Sequence, residues 1–213
     1  MAFVLIVFVV RRKNLSNDKL GFRSGAMFTG KAYIGEGIVK LSFTIKYKLH
    51  KGSSTFEPEY TYCSEESSTM ESIKFTNPNN SNDFVEINKN SLTRTKSAAH
   101  GTTLEYVVCT EIPEKFNSLD EIMIEKKVVF KGKKHWIVCA WTNLLPTQGF
   151  NMSISCQDDL FVKEANIFDA SDIYTINPSN LEKTPSTTYN ASTTRWVGPH
   201  TGFAITIGKG NND

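Results

Sequence analysis

The chain has 213 residues, is 39% hydrophobic and 22% charged, and carries a formal charge of +2. This composition excludes a disordered or multi-span membrane protein. The charge excess is too small to make nucleic acid the main partner, because phosphate binding needs a concentrated basic surface.

Residues 1–10 are almost wholly apolar and run straight into Arg11, Arg12 and Lys13. Ten residues are about half of what a helix needs to cross a bilayer, and a secretory signal would place its positive charge first. Three readings follow: the remnant of a signal or anchor, a buried strand, or a donor strand that completes a neighbour's sheet and makes a homo-oligomer. Residues 1–30 are read as this segment plus a linker, and residues 31–213 as a single β domain.

Residues 39–49 carry the clearest signal. Val39, Leu41, Phe43, Ile45, Tyr47 and Leu49 alternate with Lys40, Ser42, Thr44, Lys46 and Lys48. Strict period two places one set on a buried face and the other in water, whereas on a helix the same residues would point to every side. Further strands are expected near 58–63, 73–76, 84–88, 103–110, 122–130, 135–142, 150–156, 160–163, 172–176 and 202–208. The clusters Asn77–Asn82 and Asn177–Ser192 punctuate them. Ser118 with Glu121 resembles a capping box and predicts at most one or two helical turns. The expected fold is all-β, an antiparallel β-sandwich or jelly-roll.

Cys139 and Cys156 flank Pro146 and Gly149. If the two arms form a hairpin about Thr147 and Gln148, Trp141 faces Ile154 and the two cysteines face each other within disulfide reach. This favours a bridge over the alternative of two free buried thiols, and with it an oxidising, extracellular or cell-surface location, with Cys63 and Cys109 as further disulfide candidates. Asn14, Asn79, Asn151 and Asn190 lie in Asn-x-Ser patterns and are candidate glycosylation sites, though a chain this rich in Asn and Ser produces several by chance.

Motifs for catalysis are missing: there is no Gly-x-Ser-x-Gly elbow, no His-Glu-x-x-His and no phosphate loop. His50, His100, His135 and His200 are scattered without metal-pair spacing, and each is read as a surface or satisfied histidine. Asp158, Asp159, Asp169 and Asp172 lack the alternation of a calcium loop and are read as solvated carboxylates. No cofactor, metal or enzymatic activity is expected.

Two segments suit binding. Lys126, Lys127, Lys131, Lys133, Lys134 and His135 surround Gly132, where a hairpin would turn, and Lys131, Lys133 and Lys134 would attract an anionic ligand. Lysines also keep exposed sheet edges from pairing. Tyr189, Arg195, Trp196 and His200 sit in a polar stretch suited to stacking on a sugar ring, unless Trp196 plugs the end of the sandwich.

The runs LSFTIKYKLHKG at 41–52, KKHWIVCAWTNL at 133–144 and GFAITIG at 202–208 resemble strands of fungal fruit-body lectins, whose sandwich is akin to that of the actinoporins. The resemblance implies lectin-like binding and carries over no sugar-binding residue. The sequence thus leads to a secreted binding protein with a glycan or cell-surface ligand and no specific nucleic acid. The alternative is a structural subunit, of a filament joined by strand donation or of a jelly-roll shell.

Overall fold

A computed structural model describes residues 21–52, 56, 58–64, 67–96, 105–142, 145–168, 186–198 and 201–210. The described residues form thirteen strands. They are β1 (Phe22–Gly35), β2 (Ile38–His50), β3 (Glu59–Ser64), β4 (Ser68–Asn77), β5 (Asn80–Asn88), β6 (Arg94–Lys96), β7 (Glu105–Thr110), β8 (Glu121–Lys131), β9 (Trp136–Thr142), β10 (Thr147–Cys156), β11 (Leu160–Phe168), β12 (Thr188–Val197) and β13 (Gly202–Lys209). Two single 3-10 turns, Lys89–Ser91 and Glu114–Phe116, complete the described structure. The all-β expectation is met. The helical turn expected at Ser118 falls a few residues earlier, because Ile122 and Ile124 are drawn into β8 and buried there.

Seven strands make one broad sheet in the order β12-β10-β1-β2-β8-β4-β5. Two three-stranded sheets, β11-β13-β9 and β3-β7-β6, provide the opposing layer. β2 supplies the centre of the core as its alternation requires: Val39, Leu41, Phe43, Ile45, Tyr47 and Leu49 are all buried. Each such side chain contributes about 1.5–3 kcal/mol on leaving water. Phe28 of β1 and Phe43 of β2 meet Phe203 of β13 at ring-centroid distances of 5.6 and 5.5 Å, which ties the large sheet to one small sheet.

β1 joins β2 through a two-residue turn, Glu36–Gly37, in which both residues have positive φ, 56° and 76°. That conformation matches the twist of paired strands and explains the glycine. β1 also pairs with β10 in parallel, so the large sheet is mixed. β1 runs across the expected boundary at residue 30 and lies inside the sheet. Residues 1–20, and with them the donor-strand and anchor readings, lie outside the described residues, as does the strand expected at 172–176.

The disulfide expectation is overturned, since all four cysteines are free thiols. β9 and β10 do not form a hairpin. β9 pairs with β13, placing Cys139 opposite Ile205, whereas β10 enters the large sheet with Cys156 opposite Ala32. The driving force is burial: Met152 and Ile154 of β10 fill the inner face of the large sheet, which a local hairpin would leave open. Cys63 is opposite Tyr106 and Cys109 is opposite Tyr60, so that pair is out of register too. The inference of an oxidising compartment loses its basis. No described helix is long and apolar enough to cross a membrane.

Candidate functional site

The outer face of the large sheet carries the residues that β2 alternation leaves in water, and two groupings stand at its opposite ends. Lys40 and His50 mark them, roughly 33 Å apart along β2 at the usual rise per residue.

At the first end, Lys40 of β2 lies directly opposite Lys131 of β8. Lys31 of β1 is two positions away on the neighbouring strand, opposite Ser42. Lys133 is brought beside them because its carbonyl accepts from the Val39 N–H at 2.9 Å, and Gly132 N–H donates to the Val39 carbonyl at 2.8 Å. Lys133, Lys134 and His135 are exposed. His135 also meets the end of β13, its carbonyl accepting from the Lys209 N–H at 3.1 Å. Lys40 donates to Glu36 at 2.6 Å, which holds the Glu36 carboxyl below its ordinary range. Lys31, Lys131, Lys133 and Lys134 have no ion pair among the described residues. Gly132 is required: a Cβ there would stand 2.4 Å from the Trp136 carbonyl oxygen and 2.6 Å from the Ile137 Cβ.

The expected basic segment is therefore real but differently built. The chain passes from one sheet to another at Gly132 instead of turning in a hairpin. Lys126 leaves the group, since β8 alternation sends it inward, where it is buried.

At the other end, Phe22 of β1 and His50 of β2 face each other and stack with centroids 4.1 Å apart and planes 8° from parallel. Trp196 of β12 tilts against Phe22 at 5.2 Å and remains 55% exposed, so it does not plug the sandwich. Ser24 Oγ is 2.7 Å from His50 Nε2. His50 Nδ1 is 3.4 Å from Glu121 Oε2, and Lys48 donates to Glu121 Oε1 at 2.8 Å. Burial lowers the His50 pKa despite the opposing pull of Glu121, so the ring is neutral at pH 7. With Nδ1–H directed at Glu121, Nε2 is the acceptor for the Ser24 hydroxyl, an assignment made from the network.

Among the described residues of the expected aromatic binding segment, Arg195 and Trp196 are exposed. Tyr189 is 6% exposed on the inner face, with its hydroxyl pKa raised by burial, and is withdrawn as a ligand contact. His200 and Asn14 lie outside the described residues, whereas Asn79, Asn151 and Asn190 are exposed. No cluster of His, Cys, Asp or Glu suited to a metal occurs among the described residues. Asp158 instead accepts the Ile34 N–H at 2.8 Å. His50 is thus a satisfied histidine, with a partner for each ring nitrogen. Its partners lie on β1 and β8, far away in sequence, and only the strand order brings them together.

No protein-family profile and no curated protein matches the chain. Among solved structures it is similar to a candidate protease from Parabacteroides distasonis, with a TM-score of 0.52, 8% identity, and coverage of 88% of this chain and 40% of that one. It is also similar to leukotriene A4 hydrolase from Saccharomyces cerevisiae, with a TM-score of 0.41, 7% identity, and coverage of 87% and 29%. The chain spans less than half the length of either protein.

Proposed function

We propose that this chain is a binding module that docks an acidic protein surface on the lysine end of its large sheet. The observation that carries this reading is the direct opposition of Lys40 and Lys131, with Lys31 and Lys133 beside them. Like charges facing each other across a strand pair destabilise a sheet, by up to about 1 kcal/mol, and an anionic partner reverses the sign of that cost. The surface is a sheet face bearing Ser42 and Thr44 between the lysines, which suits an extended partner better than a small molecule in a cleft. Complementary charge of this kind sets encounter rate and orientation. A similar fold within a polypeptide more than twice as long fits a module that works beside other domains.

The test is retention of the chain on immobilised poly-glutamate, heparin and duplex DNA at matched charge density. Retention on poly-glutamate should fall with added salt and be lost in a Lys31→Gln, Lys40→Gln, Lys131→Gln variant. Unchanged retention of that variant would reject the site. Preference for heparin or DNA over poly-glutamate would replace the acidic protein with a sulfated glycan or a nucleic acid.

A further inference from the structure

The opposite end of the same face goes beyond docking. We propose that Ser24, His50 and Glu121 form a nucleophilic serine site that accepts small carboxylic esters, with Phe22 and Trp196 as an aromatic shelf beside it.

The geometry has the three contacts that serine acyl transfer needs. Ser24 Oγ is within hydrogen-bond distance of His50 Nε2, at 2.7 Å. His50 Nδ1 faces the Glu121 carboxylate at 3.4 Å, an electrostatic contact longer than a tight hydrogen bond; unliganded sites commonly show such looseness. Glu121 is itself anchored by Lys48 through its other oxygen, at 2.8 Å. The carboxylate fixes the ring's tautomer and favours the imidazolium formed when Ser24 gives up its proton.

The surroundings suit a substrate. Ser24 lies directly opposite Lys48 in the strand register, so the residue that anchors Glu121 and the nucleophile sit on facing positions of β2 and β1. The register of β1 with β2 shifts between Ser24 and Met27, and Gly25, at φ 58°, has nothing within 4 Å of where a Cβ would lie. The backbone beside the hydroxyl is thus open to an incoming group. Phe22, stacked on His50 and flanked by Trp196, offers an apolar surface for an aryl or short alkyl chain.

In the reaction, Ser24 Oγ bonds to the ester carbonyl carbon as its proton passes to His50 Nε2. The carbon–oxygen bond to the alcohol then breaks, and His50 returns the proton to the departing alkoxide. Water adds to the acyl-serine with its proton taken by His50, the carboxylic acid leaves, and Ser24 regains its hydroxyl. Ester and water become acid and alcohol, with no change of oxidation state.

The experiment treats the whole chain with a fluorophosphonate probe, followed by intact mass and peptide mapping, and with p-nitrophenyl butyrate, followed by release of p-nitrophenolate. One probe should add, at Ser24. Labelling and ester turnover should fall at least about tenfold in Ser24→Ala and His50→Gln and by less in Glu121→Gln, while Ser192→Ala on β12 stays unchanged. Circular dichroism confirms that each variant keeps its sheet, and a variant that loses it is replaced by Ser24→Thr or His50→Asn. No adduct at Ser24, or labelling indifferent to His50, would overturn the proposal and leave the three residues as cross-strand hydrogen bonding alone.

Discussion

Inside the protein, the Lys126 ammonium lies 2.7 Å from the Glu59 carboxylate, joining β8 of the large sheet to β3 of a small one. The same carboxylate oxygen accepts from the Tyr47 hydroxyl at 2.7 Å and approaches the Arg23 guanidinium at 3.4 Å. Arg23 in turn lies over the Tyr47 ring at 4.4 Å, and Lys126 also donates to Thr61 at 3.2 Å. A charged group this deep is costly to strand. Glu59→Gln or Lys126→Met alone should therefore lower stability by about 3–5 kcal/mol in urea unfolding, whereas the two together should recover only part of the loss, because Arg23 still loses its contact with the Glu59 carboxylate. Equal losses for single and double variants would remove the pair from the account of how the two sheets are locked together.

Acid sensitivity follows from the same group. Burial pushes the Glu59 carboxyl up, but Lys126, Arg23 and the hydrogen bonds outweigh it and hold its pKa at about 2, below the ordinary 4.5. The folded state thus binds its proton later than the unfolded chain does. The stabilisation is complete above pH 4.5 and disappears as pH falls through about 2, an effect on the order of 3 kcal/mol. Unfolding free energy measured from pH 6 to pH 2 should fall less steeply in Glu59→Gln than in the parent.

The cysteines should all be recovered as thiols. Cys139 is 1% exposed, and burial raises its thiol pKa far above the ordinary value. Burial likewise pushes Cys156 up to about 11. A thiol reagent at pH 8 should therefore leave Cys139 unmodified in the native state and react with four groups after denaturation. Fewer than four in the denatured, unreduced protein would restore a disulfide.

Much of this molecule was legible in the sequence where one face is dry and the other wet. β2 declares itself because Leu41, Phe43 and Ile45 alternate with Lys40, Ser42, Thr44 and Lys46, and β8 because Ile122, Ile124 and Val128 sit among Glu121, Glu125 and Lys127. β1 escaped because a bulge at Ser24–Met27 breaks its parity, and because Ala26, Gly30 and Ala32 give weak hydrophobic signal where the sheet is tightly packed. A Cβ on Gly30 would come 2.9 Å from the Phe43 ring, which explains the small residue. β12 escaped because it is an edge strand whose outward side carries Thr188, Asn190 and Ser192 and whose buried or half-buried side chains, Tyr189, Ala191, Thr193 and Val197, are few and interrupted by exposed Arg195 and Trp196. The lysine end could be anticipated from local charge. The Ser24–His50–Glu121 grouping could not, since three separate strands build it and strand order is set by long-range packing.

Two glycines distinguish steric from conformational need. Gly132→Ala drives a Cβ into the backbone of Trp136, so it should cost about 1–3 kcal/mol and disturb the lysine end. Gly25→Ala meets open space and should cost only about 1 kcal/mol, from the positive φ alone. Thermal unfolding of both variants checks the order. Equal effects would mean that the passage at Gly132 relaxes freely.

The last prediction uses the Lys40–Lys131 opposition to separate stability from binding. Lys40 is paired with Glu36, a carboxylate that Lys131 also attracts at longer range, and Lys131 faces Lys40 directly across the strand pair. Lys131→Glu converts the repulsion from Lys40 into attraction, set against a weaker new repulsion from Glu36, so the isolated chain should become more stable by about a few tenths of a kcal/mol, an increment that shrinks in high salt. The same change removes positive charge where the acidic partner is proposed to sit, and retention on poly-glutamate should weaken. A surface kept lysine-rich only for solubility would show the gain in stability without the loss of retention. Measuring both on one variant therefore distinguishes a docking face from a solubilising one.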